Sequence, residues 1–170
     1  MNTTTPPSKI LLPVDGSAPS LAAVQHALRS FAGGGASFVL VNVQEAASLY
    51  EVVVTHDAER LAALKREAGA DLLREAEALL AAAGDEIEIE VAGGVPEHLI
   101  LELAENYGCD AIVMGATGQD HAADSASGVG PVARAVLEHS AIPVTIVRMA
   151  SAAAEGAEDN AENTSAQESP

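Results

Sequence analysis

Two stretches that lie far apart in the chain carry residues whose chemistry suits ligand binding. Asp15 follows the apolar run 10–14, so its carboxylate would lie at the end of a strand, where it can accept hydrogen bonds from hydroxyl groups. Gly115 and Gly118 follow another apolar run, 111–114. Glycines permit close approach to the backbone, and the free N–H groups of such a loop can hold an anion. These residue types therefore suit a ligand with hydroxyl and anionic groups.

Both features also have a purely structural interpretation. Asp15 could close an Asx turn or cap the helix that begins near Ser17. The spacing Gly115-x-x-Gly118 could simply connect a strand to a helix. These residues alone favour neither interpretation of Asp15 over the other.

A second glycine pair follows the first and leads into a helix. Gly128 and Gly130 precede Pro131, a residue that favours the first position of a helix. A helix start offers backbone N–H groups to an anion, but proline has no N–H to offer. This arrangement predicts an anion site with one donor fewer than usual.

The charges of the same loop oppose a highly charged ligand. Residues 115–130 contain Asp120 and Asp124 but no Lys or Arg. Each carboxylate repels an anionic ligand unless a cation intervenes. Ser125, Ser127 and the backbone of Gly128 to Gly130 could supply donors in place of the one that proline lacks. His121 beside the two carboxylates is interpreted as part of a solvated loop, so no metal site is predicted.

Apolar runs that are typical of buried strands alternate with helical patterns along the chain. The predicted strands are 10–14, 38–43, 86–91, 111–114 and 144–147. The predicted helices begin near Ser17, Asp57, Pro96 and Pro131. Such alternation indicates an α/β protein with a parallel sheet. Glutamates at every second position of the third run predict that this strand lies at an edge.

The predicted helix 57–82 has an apolar side and a charged side. Its charged residues, Lys65 among them, are interpreted as a solvent-exposed face. The residues predicted to be on its apolar side are Leu61, Leu64, Ala68, Leu72 and Leu79.

Four segments of the chain form a recognisable combination. They are KILLPVDGS (9–17), VLVNV (39–43), residues 94–114 and HSAIPVTIVR (139–148). Together they resemble the universal stress protein family. The resemblance covers roughly residues 9–149 and implies a doubly wound, five-stranded parallel sheet in the order 3-2-1-4-5, the adenine nucleotide alpha hydrolase-like fold. In that order, the loops after strands one and four flank the switch point, where open α/β sheets bind ligands.

The resemblance also implies an adenine-nucleotide site, for ATP, ADP or AMP, with Mg²⁺ if a nucleotide is bound. In such a site Asp15 would hold the ribose, the Val43 backbone the adenine, and the glycines the phosphates. The implied site residues are Val14, Asp15, Val43, Met114, Gly115, Gly118, Gly128, Gly130, Pro131 and Val132.

The end of the phosphate loop departs from the family pattern. Nucleotide-binding members carry Gly followed by Ser or Thr, nine residues after the second glycine. Here that count runs from Gly118 to Gly128, which Val129 follows. Alignment backwards from the last strand instead selects Gly130 and Pro131. The hydroxyl group is missing in both alignments, which predicts a weakened site. The alternative is a non-nucleotide-binding member that acts as a dimeric protein-interaction module.

Composition limits the classes of partner. The 170 residues are 48% hydrophobic and carry a formal net charge of −17, which disfavours nucleic acids and anionic membranes as partners. No run is long enough to span a membrane, and the N-terminus lacks the features of a signal peptide. Cys109 is the only cysteine. These features lead us to expect a cytoplasmic protein. We expect no catalytic role, because no nucleophile set or P-loop lysine occurs, although slow ATP hydrolysis stays open.

The chain is expected to form one domain with polar ends. Residues 1–8 are predicted to be a flexible lead-in, 9–149 the domain, and 150–170 a disordered acidic tail. The last strand carries no charge until Arg148, and an unguarded edge invites pairing with another chain. Together with the resemblance, this predicts a homodimer formed by antiparallel contacts of Val144, Thr145, Ile146, Val147 and Arg148.

Overall fold

The computed structural model describes residues 9–31, 35–45, 58–119 and 128–149. Its strands are β1 (Lys9–Pro13), β2 (Ser37–Gln44), β3 (Glu86–Gly93), β4 (Ala111–Gly115) and β5 (Val144–Val147). They form one sheet in the order β3-β2-β1-β4-β5, and every pairing is parallel. The strand order that the resemblance implied is therefore confirmed.

A helix lies between each pair of consecutive strands. The helices are α1 (Ala18–Phe31), α2 (Ala58–Ala83), α3 (Pro96–Asn106) and α4 (Pro131–His139). One hydrophobic cluster joins α1 and α2 to one face of the sheet, and a second cluster joins α3 and α4 to the other face. The sheet is thus doubly wound, as predicted.

Alternation of side chains along the central strands builds both clusters. Leu12 of β1 belongs to the cluster under α1 and α2, whereas its neighbour Leu11 belongs to the cluster under α3 and α4, and both are fully buried. A strand that is covered on both faces needs apolar residues at every position. The continuous apolar runs of β1, β2 and β4 therefore follow from their central position.

The buried face of α2 differs from the predicted one. Leu64 is 52% exposed and Ala68 is also exposed. The buried positions of this helix are Gly69, Leu73, Ala76 and Leu80. They follow helical spacing as well. Two of them, a glycine and an alanine, are small, so a pattern based on large apolar side chains does not identify this buried face.

The two edges of the sheet differ in charge. Glu86 and Glu88 of β3 are exposed, and the Nζ of Lys9 lies 2.6 Å from the Glu88 carboxylate. This confirms β3 as a charged edge. At the other edge, the four residues of β5 are half-buried and uncharged. Within the described ranges, no helix is long and apolar enough to cross a membrane.

An opening forms at the carboxyl ends of the strands because β2 extends beyond the end of β1. The last pair between β1 and β2 is Pro13 with Val41, whereas β2 and β3 stay paired as far as Gln44 with Gly93. From the end of β1 the chain turns into α1 on one face, and from β4 it proceeds toward α4 on the other. This divergence is the topological switch point.

Several sequence expectations lie outside the described residues. They concern the lead-in 1–8, the tail 150–170 and the loop residues 120–127. Most of the irregular connection expected after β2 also lies outside them.

Candidate ligand-binding cleft

A cleft of about 440 Å³ occupies the switch point. Residues from the ends of β1, β2 and β4 line it, together with residues of α2, α3 and α4. The expected site residues that line it are Val14, Asp15, Val43, Met114, Gly115, Gly118, Gly130, Pro131 and Val132. Gly128 is not among its lining residues; a Cβ built on it would lie 3.5 Å from Nη1 of Arg148.

The carboxylate of Asp15 caps its own turn and also reaches across the cleft. Its Oδ1 accepts hydrogen bonds from the Ser17 N–H at 3.0 Å and the Ser17 hydroxyl at 2.6 Å. Its Oδ2 accepts a bond from the backbone N–H of Gln119 at 2.9 Å. The turn that was one interpretation of Asp15 is therefore present, and it leaves the second oxygen directed toward the loop after β4.

The same hydrogen bonds keep Asp15 ionised. Burial raises the pKa of Asp15, but hydrogen bonds from Ser17, Ser20 and Gln119 outweigh it, so the pKa lies below its usual value. A carboxylate with a lowered pKa accepts hydrogen bonds well and is a poor general base at neutral pH. Its chemistry suits the binding of hydroxyl groups rather than proton abstraction.

Gln119 is a cleft residue that the sequence analysis missed. Its side-chain Nε2 donates to the Asp15 carbonyl at 2.6 Å, in addition to the backbone bond. These two bonds hold the loop after β4 against the loop after β1. Nothing in the local sequence distinguishes Gln119 from an ordinary loop residue, because its partner is 104 positions away.

The glycines of the loop after β4 are required by protein contacts. A Cβ on Gly115 would lie 2.8 Å from the Pro19 carbonyl carbon, where α1 packs against β4. A Cβ on Gly118 would lie 2.6 Å from Oδ2 of Asp15. A side chain at residue 115 would therefore push against backbone, and one at residue 118 would displace the Asp15 carboxylate, so these glycines let α1 and Asp15 approach the loop. Their presence has a structural reason before any ligand is considered.

The start of α4 provides fewer backbone donors than the glycine pattern suggests. The Gly130 N–H already donates to the Ala116 carbonyl at 2.7 Å, and Pro131 has no N–H. The next two N–H groups, of Val132 and Ala133, lie in the first turn, where no intrahelical partner exists. Both residues line the cleft. They are the donors that α4 can offer to an anion.

A buried amide lies in the wall formed by β2, and the sequence analysis did not identify it. Asn42 is 1% exposed; its Nδ2 donates to the Val14 carbonyl at 2.8 Å. Gln44 Nε2 donates to Asn42 Oδ1 at 2.6 Å. The available signal was a lone polar residue inside the apolar run of β2.

Lys65 brings a positive charge to the same wall. It was interpreted as part of the exposed face of its helix, but it is half-buried, lines the cleft and donates from Nζ to the Glu45 carbonyl at 3.2 Å. The charged residues that line the described part of the cleft are Asp15, Glu45 and Lys65. The positive charge that lines the described part of the cleft thus lies beside β2, whereas Arg148, which is close to Gly128, does not line the cleft.

Two other kinds of chemistry, metal binding and a reactive thiol, find no support among the described residues. Among the described residues, no group of three or more His, Cys, Asp or Glu side chains is arranged to hold a metal ion. Cys109 is buried, and burial raises the pKa of its thiol to about 11. Such a thiol stays protonated and unreactive at neutral pH.

The sheet order and the cleft at its switch point define a doubly wound α/β protein with a candidate ligand site at the carboxyl ends of its strands. A sequence model of the Universal stress protein family matches residues 7–148. The chain belongs to the universal stress protein family. Universal stress protein MJ0531 of Methanocaldococcus jannaschii is 30% identical over 140 residues, which cover 82% of this chain and 81% of that protein.

Solved structures agree with this assignment. The universal stress protein UspA from Lactobacillus plantarum superposes with a TM-score of 0.72 at 24% identity, covering 83% of this chain and 97% of that one. A universal stress protein in complex with cAMP superposes with a TM-score of 0.66 at 26% identity, covering 85% and 99%. The latter relative carries an adenine nucleotide.

Proposed function

We propose that the cleft binds an adenine nucleotide and that the protein is a stress-response regulatory protein rather than a dedicated catalyst. One observation carries the proposal: the Asp15 carboxylate and the loop after β4 meet in a single cleft, joined by the bond from Gln119 N–H. The similar structure with cAMP supports the choice of nucleotide. The lowered pKa of Asp15 argues against a role as general base.

In this proposal each part of the nucleotide has its own contact. Oδ2 of Asp15 accepts a hydrogen bond from a ribose hydroxyl, the Val43 backbone meets the adenine, and the N–H groups of Val132 and Ala133 meet a phosphate. A helix start that offers free N–H groups favours an anion there. Mg²⁺ would enter with the phosphates of ATP, because the described residues hold no carboxylate cluster for it.

The start of α4 favours few phosphate groups. Gly130 has already used its N–H, Pro131 has none, and residues 115–130 contain no Lys or Arg. The cleft-lining cation that is described, Lys65, lies at the opposite wall. Arg148 lies close to Gly128 but does not line the cleft, so a second and a third phosphate would add charge without adding a cleft-lining cation. We therefore expect AMP to bind more tightly than ADP, and ADP more tightly than ATP.

Calorimetric titration tests the proposal with AMP, ADP and ATP, each with and without Mg²⁺. Asp15→Asn should weaken every adenine nucleotide by about tenfold, since a hydrogen bond to a charged group contributes roughly 1.5–3 kcal/mol. The matched control is Asp110→Asn, because Asp110 accepts a bond from the Lys9 N–H at the other end of the sheet. Absence of heat with millimolar nucleotide, and of any co-purified nucleotide by mass spectrometry, would reject the proposal.

A dimeric protein-interaction module is the second candidate. The uncharged edge of β5 favours it, as do the exposed side chains of Leu137 and Met149, 53% and 54% accessible, on the neighbouring α4 and just after β5. We propose that two chains pair across β5. Pairing across β5 is itself compatible with nucleotide binding, since the cleft and this edge are separate surfaces, but the second candidate as a whole is a protein that binds no nucleotide. Location in the cytoplasm stays a prediction.

A further inference from the structure

The part of β2 that extends past β1 leaves one backbone edge facing the cleft. Val14 N–H donates to the Val41 carbonyl at 2.8 Å, so odd-numbered residues of β2 direct their backbone groups toward β1. On the other side, Gly94 N–H donates to the Gln44 carbonyl at 2.9 Å, so even-numbered residues face β3. Val43 therefore directs its N–H and C=O toward the side where β1 has already ended.

The Asn42 side chain occupies the acceptor that would otherwise pair with this edge. In a continuing parallel ladder, the Val43 N–H would donate to the Val14 carbonyl. That carbonyl instead accepts a bond from Nδ2 of Asn42 at 2.8 Å. The side chain replaces a backbone donor, so β1 can turn away at Asp15 without an unsatisfied buried carbonyl. The donor and the acceptor of Val43 are left toward the cleft that this residue lines.

Two neighbours hold the Asn42 amide in this orientation. Gln44 Nε2 donates to Asn42 Oδ1 at 2.6 Å, so Oδ1 is the acceptor and Nδ2 must face Val14. A Cβ on Gly69 of α2 would lie 2.6 Å from the same oxygen. The helix therefore leaves room for the amide only because residue 69 is glycine. A buried amide with both ends bonded has one stable position.

We propose that Asn42 is a positioning residue for base recognition: it occupies the Val14 carbonyl and so leaves the N–H and C=O of Val43 as a donor–acceptor pair that binds the edge of adenine. This inference rests on the proposed function and names the part of the nucleotide that the β2 wall recognises. Adenine presents an acceptor at N1 and a donor at its amino group, whereas hypoxanthine presents a donor at N1 and an acceptor at O6. A backbone pair that is fixed in direction distinguishes the two bases.

Titration of AMP and IMP into the wild type and Asn42→Asp tests this role. Aspartate keeps the shape of the asparagine side chain but has no donor for the Val14 carbonyl, so the backbone edge at Val43 loses its fixed position. AMP should bind roughly tenfold more weakly to the variant, and the ratio of AMP to IMP affinity should fall to about one. The ratio of AMP to adenosine affinity should stay unchanged, because the phosphate lies at α4. Asn106→Asp, at the exposed end of α3, is the matched control.

A folded Asn42→Asp protein that still prefers AMP to IMP as the wild type does would overturn the proposal. Amide hydrogen exchange of the wild type gives a second test that needs no variant. Without ligand, the Val43 amide should exchange much faster than the Val41 amide, and AMP should protect it. A Val43 amide as protected as that of Val41 in the free protein refutes the role of Asn42. Fast exchange without binding of any adenine compound refutes the proposed function instead.

Discussion

Asp15 and Gln119 hold each other through two hydrogen bonds. The Gln119 N–H donates to Oδ2 of Asp15 at 2.9 Å, and its Nε2 donates to the Asp15 carbonyl at 2.6 Å. The first loop supplies only acceptors and the second only donors. This pairing holds the two sides of the cleft together, and it lets a substitution in either loop affect the other.

Gly118→Ala should destabilise the protein by about 1–3 kcal/mol and weaken nucleotide binding. The new Cβ would lie 2.6 Å from Oδ2 of Asp15, so the carboxylate or the loop must move and the bond from Gln119 is strained or lost. Chemical denaturation measures the first effect and calorimetry the second.

Gly93→Ala is the control for this change. Like Gly118, it does not have a positive φ. The atom nearest to a Cβ built on Gly93 is the Gln44 carbonyl oxygen, at 3.9 Å. Its free energy of unfolding should change by no more than about 0.5 kcal/mol. Equal decreases in the free energy of unfolding of both variants would mean that the close contact between Gly118 and Asp15 is not the cause of the destabilisation.

The wild type should lose part of its stability in acid through Asp15. The pKa of this carboxyl is lowered in the folded state, so its contribution is complete above the pKa of the unfolded chain and is lost as pH falls through the folded-state value. Asp15→Asn cannot titrate, so the difference in melting temperature between wild type and variant should shrink as pH falls from 7 toward 3. A difference that is independent of pH would contradict this account.

The sequence predicted the sheet well because its signals are local. Continuous apolar runs at β1, β2 and β4 and the glutamates of β3 indicate which strands are covered on both faces and which lies at an edge. The buried face of α2 was predicted less well. Alanine and leucine occupy several sides of this helix, and tertiary contact with β2 through Gly69 selects among them.

The site was only partly predictable, since its connections are not local. Asp15 and Gly118 were identified from turn chemistry, and they do lie together. The roles of Gln119 and Asn42 depend on partners that only the folded chain brings near, at Asp15 and Val14. Gly115 and Gly118 were expected for phosphate binding, whereas close contacts with Pro19 and Asp15 already favour glycine at these two positions.

Pro131→Ser should raise the affinity for ATP by about tenfold and change that for adenosine little. Serine restores an N–H at the first helical position and adds a hydroxyl group, so the start of α4 gains two donors for phosphate. Pro131→Ala restores the N–H alone and should give a smaller gain. Calorimetric titration measures the affinity of each variant for ATP and for adenosine relative to that of the wild type.

Pro143→Ser is the control for the phosphate end, because Pro143 precedes β5 and does not line the cleft. Its affinity for ATP should equal that of the wild type. If Pro131→Ser binds ATP no better than the wild type while AMP binding is intact, the missing donors at α4 do not limit the number of phosphates.

Ile146→Pro should convert the proposed dimer into monomers without unfolding the chain. The Ala116 N–H donates to the Val147 carbonyl and the Ile112 N–H to the Pro143 carbonyl, so odd-numbered residues of this segment face β4. Ile146 therefore directs its N–H to the open edge. Proline removes this donor and leaves the ladder with β4 in place. Size-exclusion chromatography with light scattering measures the mass, and thermal denaturation checks the fold.

Ile89→Pro provides the matched control at the opposite edge. Gly94 N–H donates to Gln44, so even-numbered residues of β3 face β2 and Ile89 directs its backbone outward, just as Ile146 does on β5. Its side chain is 43% exposed. This variant should keep the mass of the wild type. A wild type that is monomeric at all concentrations would reject the proposed dimer, and an Ile146→Pro protein that stays dimeric would place the contact away from β5.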